Sequence, residues 1–247
     1  MPTCTDSIAH VHMPKTGGLS LAAALREHGG RLVGAVHSRA VDHKLGRRDV
    51  IGTIRDPWSW YVSLYLHCAY GDHRQQQALR DLAFAARAHP ASDLEADCDQ
   101  FEACIWAWTH SVGRRTRRDA PCVLIDLEEG AGAEWEAGGL GLFSFMVRYF
   151  YGTPSAYKAG ARQLWSADAL ADMAQADAVV AALLDEEGGC HHVNSFAART
   201  RGHAPAYPAA SRYTDEMLAW VSDADAALID LLGCEPFGPC SEPLISL

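Results

Sequence analysis

A chain of 247 residues, 49% of them hydrophobic, is long enough to bury one sizeable core and does not require two full domains. It contains no uninterrupted apolar run of about 18 residues, so a membrane-spanning helix is not expected. With 31 Asp and Glu against 21 Lys and Arg, the formal net charge is −10. That balance argues against broad nucleic-acid binding and requires any anionic ligand to find positive charge gathered locally.

The opening residues, Met1-Pro2-Thr3-Cys4-Thr5-Asp6, show no basic region followed by an apolar core, so no leader is expected and a cytoplasmic setting follows. The eight cysteines are scattered, at Cys4, Cys68, Cys98, Cys104, Cys122, Cys190, Cys234 and Cys240. None forms a Cys-x-x-Cys pair, which argues against a zinc ribbon; nor do other potential ligands show a convincing metal spacing. In a reducing compartment most are free thiols, although Cys234 and Cys240 are spaced to close a small loop if oxidised.

Ser7-Ile8-Ala9-His10-Val11-His12 reads as a short strand, and Leu21-Ala22-Ala23-Ala24-Leu25 as strong helix-forming sequence. Between them stand Pro14, Lys15, Thr16, Gly17, Gly18, Leu19 and Ser20. A strand that turns through glycines into a helix leaves several backbone N–H groups converging on one point. The helix dipole adds partial positive charge there and Lys15 a full one, so the segment predicts an anion cradle for a phosphate or sulfate group. The ATP or GTP loop Gly-x-x-x-x-Gly-Lys-Ser/Thr fits poorly, because Pro14 precedes the lysine and His10 stands where the first glycine belongs.

Arg31 to Val36 and Asp49 to Ile54 are the next predicted strands, the second continuous and apolar as a buried parallel strand should be. Asp56 suits a helix N-cap and Pro57 the first helical position, so a helix begins directly after Arg55. Arg55 therefore ends a strand at the same sheet edge as Lys15, and its planar fork suits phosphate oxygens. Ser63 lies eight residues on, along that helix. The order of elements predicts a mostly parallel sheet with ligand loops at the strand C-terminal ends.

From Tyr70 to Asp119 the pattern is mainly helical, with apolar faces over Gln75 to Ala88 and Asp97 to Thr109. The basic run Gly113 to Arg118 reads as a solvated loop or as a contact for an acidic acceptor. Pro121 to Leu127 is a predicted strand and Glu128 to Gly141 a linker. Leu142 to Tyr151 is an aromatic helix or strand, and Ala167 to Glu187 carries one or two amphipathic helices. A last helix is capped by Thr214 and closed by Gly233.

Pro-Lys-Thr-Gly-Gly-x-Ser after an apolar strand resembles the 5′-phosphosulfate loop of sulfotransferases that use 3′-phosphoadenosine-5′-phosphosulfate (PAPS), in the branch of carbohydrate sulfotransferases and bacterial relatives. Arg55-Asp56-Pro57 followed by Ser63-Leu64-Tyr65 resembles that family's 3′-phosphate motif. His192-Val193-Asn194-Ser195, then Arg199 and Arg201, then Ser211 to Met217 resembles its closing segment, although the Gly-Arg-Phe segment of relatives is not found.

The resemblance implies one sulfotransferase domain over residues 1–247, a three-layer α/β/α P-loop-NTPase-like fold with a helical insertion near 70–120. It implies a donor held by Lys15, Thr16, Gly17, Gly18, Leu19, Ser20, Arg55, Ser63, Asn194, Ser195 and Arg199, with Arg212 as another candidate phosphate ligand. Leu19 replaces the commoner threonine, which removes one hydroxyl but not the backbone cradle. Sulfuryl transfer to an acceptor hydroxyl, leaving adenosine 3′,5′-bisphosphate (PAP), needs no metal; it rests on positioning and charge stabilisation by Lys15. His37 is the candidate general base, placed after the second strand as in relatives of this branch, with His43 and His12 in reserve and a glutamate base still open. The acceptor is a carbohydrate or another small molecule. The alternatives are a P-loop nucleotide kinase and a non-catalytic nucleotide-binding relative.

Overall fold

The computed structural model describes residues 3–6, 8–27, 29–33, 49–70, 94–110, 141–151, 169–172 and 209–238. The protein is an α/β protein with a small mixed sheet, and its chain divides into two compact units, each discontinuous in sequence. The first comprises Met1–Arg55, Met146–Ser195 and Pro239–Leu247; the second comprises Asp56–Phe145 and Phe196–Gly238. Among the described residues no helix is long and apolar enough to cross a membrane.

The first unit is built on a five-stranded sheet: β1 (Thr3–Cys4), β2 (Ile8–Val11), β3 (Arg31–Leu32), β4 (Asp49–Ile54) and β5 (Ala169–Asp172), in the spatial order β3-β1-β2-β4-β5. β2, β4 and β5 pair in parallel, whereas β1 pairs antiparallel with both β2 and β3. Four strands thus share one direction and β1 opposes them. The expected mostly parallel sheet is corrected to a mixed one by this unforeseen pair of residues, too short to carry a period-two signal.

Helix α1 (Gly18–Glu27) follows β2 and buries Leu21 and Leu25. Alternation along β2 sends His10 toward α1, where a Cβ on Gly18 would stand 3.2 Å from His10 Cε1. On β4, a Cβ on Gly52 would meet the Tyr151 ring at 2.4 Å, so the absence of a side chain there admits the aromatic ring.

β5 corrects the helical expectation at its position. Ala-Leu-Ala-Asp has helical propensity, but the open edge of β4 offers a ladder, with Ile51↔Ala169 and Ile54↔Asp172 in register. Tertiary pairing overrides a weak local preference.

The second unit is helical where described. α2 (Pro57–Tyr70) starts as expected, with Asp56 Oδ1 accepting the Ser59 N–H at 2.7 Å. Trp58, Trp60, Tyr61, Leu64 and Tyr65 are all buried on it, so α2 is a core helix. α3 (Leu94–His110) adds Phe101, Cys104, Ile105 and Trp108 to that core. The aromatic segment Leu142–Tyr151 is a helix, α4, and the boundary between the units falls inside it.

The expected C-terminal helix is two helices, α5 (Asp215–Ala224) and α6 (Ala226–Leu232), parted at Asp225. Thr214 caps α5, accepting the Met217 N–H at 3.2 Å, and Gly233 ends α6 in the left-handed region at φ 57. Asp225 is buried, and its carboxylate serves a third helix. Oδ1 accepts the Ser144 N–H at 2.9 Å and Oδ2 accepts the Tyr61 hydroxyl at 2.9 Å, while Tyr61 Oη accepts the Phe143 N–H at 3.1 Å. Two orphan donors in the first turn of α4 are thereby satisfied by side chains distant in sequence. Gly141 leaves room for this, since a Cβ there would lie 2.5 Å from Asp225 Oδ1.

Cys4, Cys98 and Cys104 are reduced, and Cys234 is disulfide-bonded.

Burial pushes the Asp225 carboxyl up to about 6, against the hydrogen bonds from Ser144 and Tyr61 that pull it down. A raised folded value means that the stability this group contributes is complete below the unfolded carboxyl range and is lost as pH rises through about 6. Chemical denaturation of wild type and Asp225→Asn between pH 4 and 7 should therefore show wild type losing ground to the variant as pH rises, by on the order of 3 kcal/mol at most.

Candidate functional site

The candidate site begins where β2 stops. Its ladder with β4 runs from Ile8↔Asp49 to Val11↔Gly52, after which the chain leaves the sheet and turns through Pro14, Lys15, Thr16 and Gly17 into α1. β4 continues to Ile54 and then reaches Arg55. From β2 the chain passes to β3 on one side, and from β3 to β4 on the other, so the connections diverge between β2 and β4. In open α/β sheets the crevice at such a divergence, beyond the strand C-terminal ends, is where ligands bind. The Lys15 turn and Arg55 flank it.

The turn itself is unusual. Lys15 has φ 67 and Gly17 φ 79. A left-handed conformation is routine for glycine but costs a lysine on the order of 1–2 kcal/mol, so the surrounding contacts must impose it. Those contacts are specific. The fully buried Thr16 hydroxyl donates to the Met13 carbonyl at 2.8 Å and lies 2.9 Å from Thr53 Oγ1. Because the Thr16 proton is used on Met13, Thr53 is the donor to Thr16. The turn is thus tied to β4 two residues ahead of Arg55. The Thr16 side chain faces inward, so what this expected donor ligand can offer the cradle is its backbone N–H.

Beneath the helix start lie two histidines, His10 and His12, stacked with centroids 6.1 Å apart. A Cβ on Gly18 would come within 2.7 Å of His12 Cδ2, so α1 can begin this close to β2 only through glycine. His10 is completely buried with neither ring nitrogen hydrogen-bonded, and its pKa is lowered to about 3 by burial and by the positive chain terminus. It therefore stays neutral at physiological pH.

Tyr151, the last residue of α4, reaches the crevice from the Gly52 face. Its hydroxyl donates to the Thr53 carbonyl at 3.1 Å and to the Val11 carbonyl at 3.3 Å. Burial pushes the phenol well above its ordinary range, which keeps it a donor. The aromatic pattern of Leu142 to Tyr151 carries no signal for this contact.

The remaining expected site residues divide as follows. Gly17, Gly18, Leu19 and Ser20 lie in the turn and the first turn of α1, with Leu19 52% exposed at its start. Ser63 is on α2 in the second unit, half-buried. His37, His43, Asn194, Ser195 and Arg199 lie outside the described residues. Arg212 is described and is committed elsewhere: its Nε sits 3.2 Å from Asp97 Oδ2 with both side chains fully buried, and Tyr65 donates to Asp97 Oδ1 at 2.7 Å. That ion pair stands in the interior of the second unit, which removes Arg212 from the charge available to a phosphate. Among the described residues no group of three or more His, Cys, Asp or Glu side chains is placed to hold a metal.

The dependence of the turn on Gly18 is open to direct measurement. Gly18→Ala should lower thermal stability by about 1–3 kcal/mol through overpacking against His12, read as a reduced melting temperature. An unchanged melting temperature would mean that the His12 ring yields freely.

Comparison with protein-family models, with characterised proteins and with solved structures found no match to this chain.

Proposed function

We propose that this chain is a PAPS-dependent O-sulfotransferase acting on the hydroxyl of a carbohydrate or other small-molecule acceptor. The scaffold belongs to the three-layer, P-loop-NTPase-like type. The observation that carries the reading is the Pro-Lys-Thr-Gly-Gly turn at the divergence between β2 and β4, with Arg55 ending the neighbouring strand. An acidic protein that binds a highly charged anion must concentrate its cations, and here a lysine and an arginine leave adjacent parallel strands at one sheet edge.

The residues fit such a donor. A strained lysine, two glycines and a helix start supply N–H groups and positive potential for a 5′-phosphosulfate. Bound PAPS supplies an already activated sulfuryl group and a good leaving group. In this reading the N–H groups of Thr16 to Ser20 bind and orient the phosphosulfate. Lys15 Nζ would offset negative charge on the departing phosphate oxygen. Arg55 and Ser63 hold the 3′-phosphate, the group that separates PAPS from ATP. An imidazole nitrogen of His37 takes the acceptor hydroxyl proton, and Asn194, Ser195 and Arg199 complete the donor contacts.

Thermal melting with PAP, without metal, set against ATP with magnesium tests this directly. Ligand at 100 times its dissociation constant should stabilise the fold by about 2.7 kcal/mol. PAP should shift the melting temperature and ATP with magnesium should not. The reverse result would replace the sulfotransferase reading with the nucleotide-kinase one. Lys15→Ala and His37→Ala should each reduce turnover by about 100-fold or more, whereas Arg55→Ala should mainly weaken PAP binding. PAP binding without transfer to any acceptor hydroxyl would leave a non-catalytic relative.

A further inference from the structure

We propose that Tyr151 is a positioning residue whose hydroxyl closes the split between β2 and β4 and so fixes the spacing of the Lys15 turn from Arg55. The proposal rests on the reading of that split as the donor site. Its geometry comes from where the ladder ends.

Val11↔Gly52 is the last pair joining β2 to β4, while Thr53 and Ile54 continue in register with Ala171 and Asp172 of β5. Beyond Val11 the two chains separate without further strand pairing. The Tyr151 hydroxyl takes one carbonyl from each side of that separation, Val11 at 3.3 Å and Thr53 at 3.1 Å. Its ring is held against Gly52, where any Cβ would fall 2.4 Å from Cε1. Thr53 is therefore gripped twice, its carbonyl by Tyr151 and its hydroxyl by Thr16. The hydrogen bonds run in one direction, Tyr151 to Thr53 to Thr16 to Met13, from the far face of the sheet into the turn that carries Lys15. Loss of the first donor frees the carbonyls at the root of the turn while leaving every group that would touch the donor in place.

Tyr151→Phe in the full chain isolates the hydroxyl, because the ring still fills the Gly52 notch. Two measurements are made. Hydrogen exchange of the ligand-free protein, followed in the peptide spanning residues 12–20, should quicken. PAP affinity from melting-shift titration should fall about tenfold, the scale of one lost hydrogen bond. Tyr61→Phe, which deletes another buried hydroxyl in the second unit, should change neither.

If Tyr151→Phe leaves exchange in residues 12–20 unaltered, or if Tyr61→Phe alters it equally, the positioning role is overturned. Should Tyr151→Phe fail to fold, Gly52→Ala displaces the ring with the hydroxyl still present and should give the same faster exchange. Slow exchange in that variant would also overturn the proposal. Absence of any PAP shift in wild type would defeat the sulfotransferase reading alone, with exchange still deciding the role of Tyr151.

Discussion

A turn that holds a lysine in the left-handed region must be fixed from behind, and in this protein hydroxyl groups do the holding. Thr16 is anchored to Met13 and receives Thr53, whose carbonyl receives Tyr151. Each of these groups is buried, so each hydrogen bond is shielded from competing water and each missing partner would leave a costly unsatisfied atom. The left-handed Lys15 and the close seating of Gly18 on His12 are consequences of this anchoring. The arrangement gives the sheet edge a fixed shape before any ligand arrives, which is what preorganised binding of a charged group requires.

The second unit uses buried polar groups for a different end. Arg212, Asp97 and Tyr65 form one linked set, and Asp225, Tyr61 and the first N–H groups of α4 form another. Such sets fix the orientation of helices whose apolar contacts alone would tolerate sliding. Arg212 is also the one Lys or Arg among the described residues of that unit. The exposed Glu95, Asp99, Glu102, Asp215, Glu216 and Asp223 of α3 and α5 therefore face solvent with no Lys or Arg on either helix. Local cation supply near Lys15 and Arg55 contrasts with this, in a chain whose net charge is −10.

Much of the turn and its flanking elements was legible in the sequence because local chemistry determined it. Gly-Gly before an alanine-rich run marked the start of α1, Asp56-Pro57 marked α2, and Thr214 and Gly233 marked the outer ends of the last helical segment. What escaped notice depends on contacts distant in sequence. β1 is too short for any periodicity, β5 is a strand only because β4 has an edge to offer, and the break at Asp225 exists because its carboxylate caps another helix. At the candidate site the residue types were readable, but the direction of a side chain was not. Thr16 has the hydroxyl of a ligand donor and spends it inward, and Arg212 has the charge of a phosphate ligand and meets Asp97.

The left-handed backbone at Lys15 has an evolutionary corollary. Stability and charge make opposed demands on that position: glycine would relax the backbone, partly offset by the extra freedom of the unfolded chain, whereas lysine keeps a cation at the crevice. Variants selected only for heat resistance would tend to drift toward glycine here. Retention of lysine under such selection would be the mark of a role that folding alone does not supply.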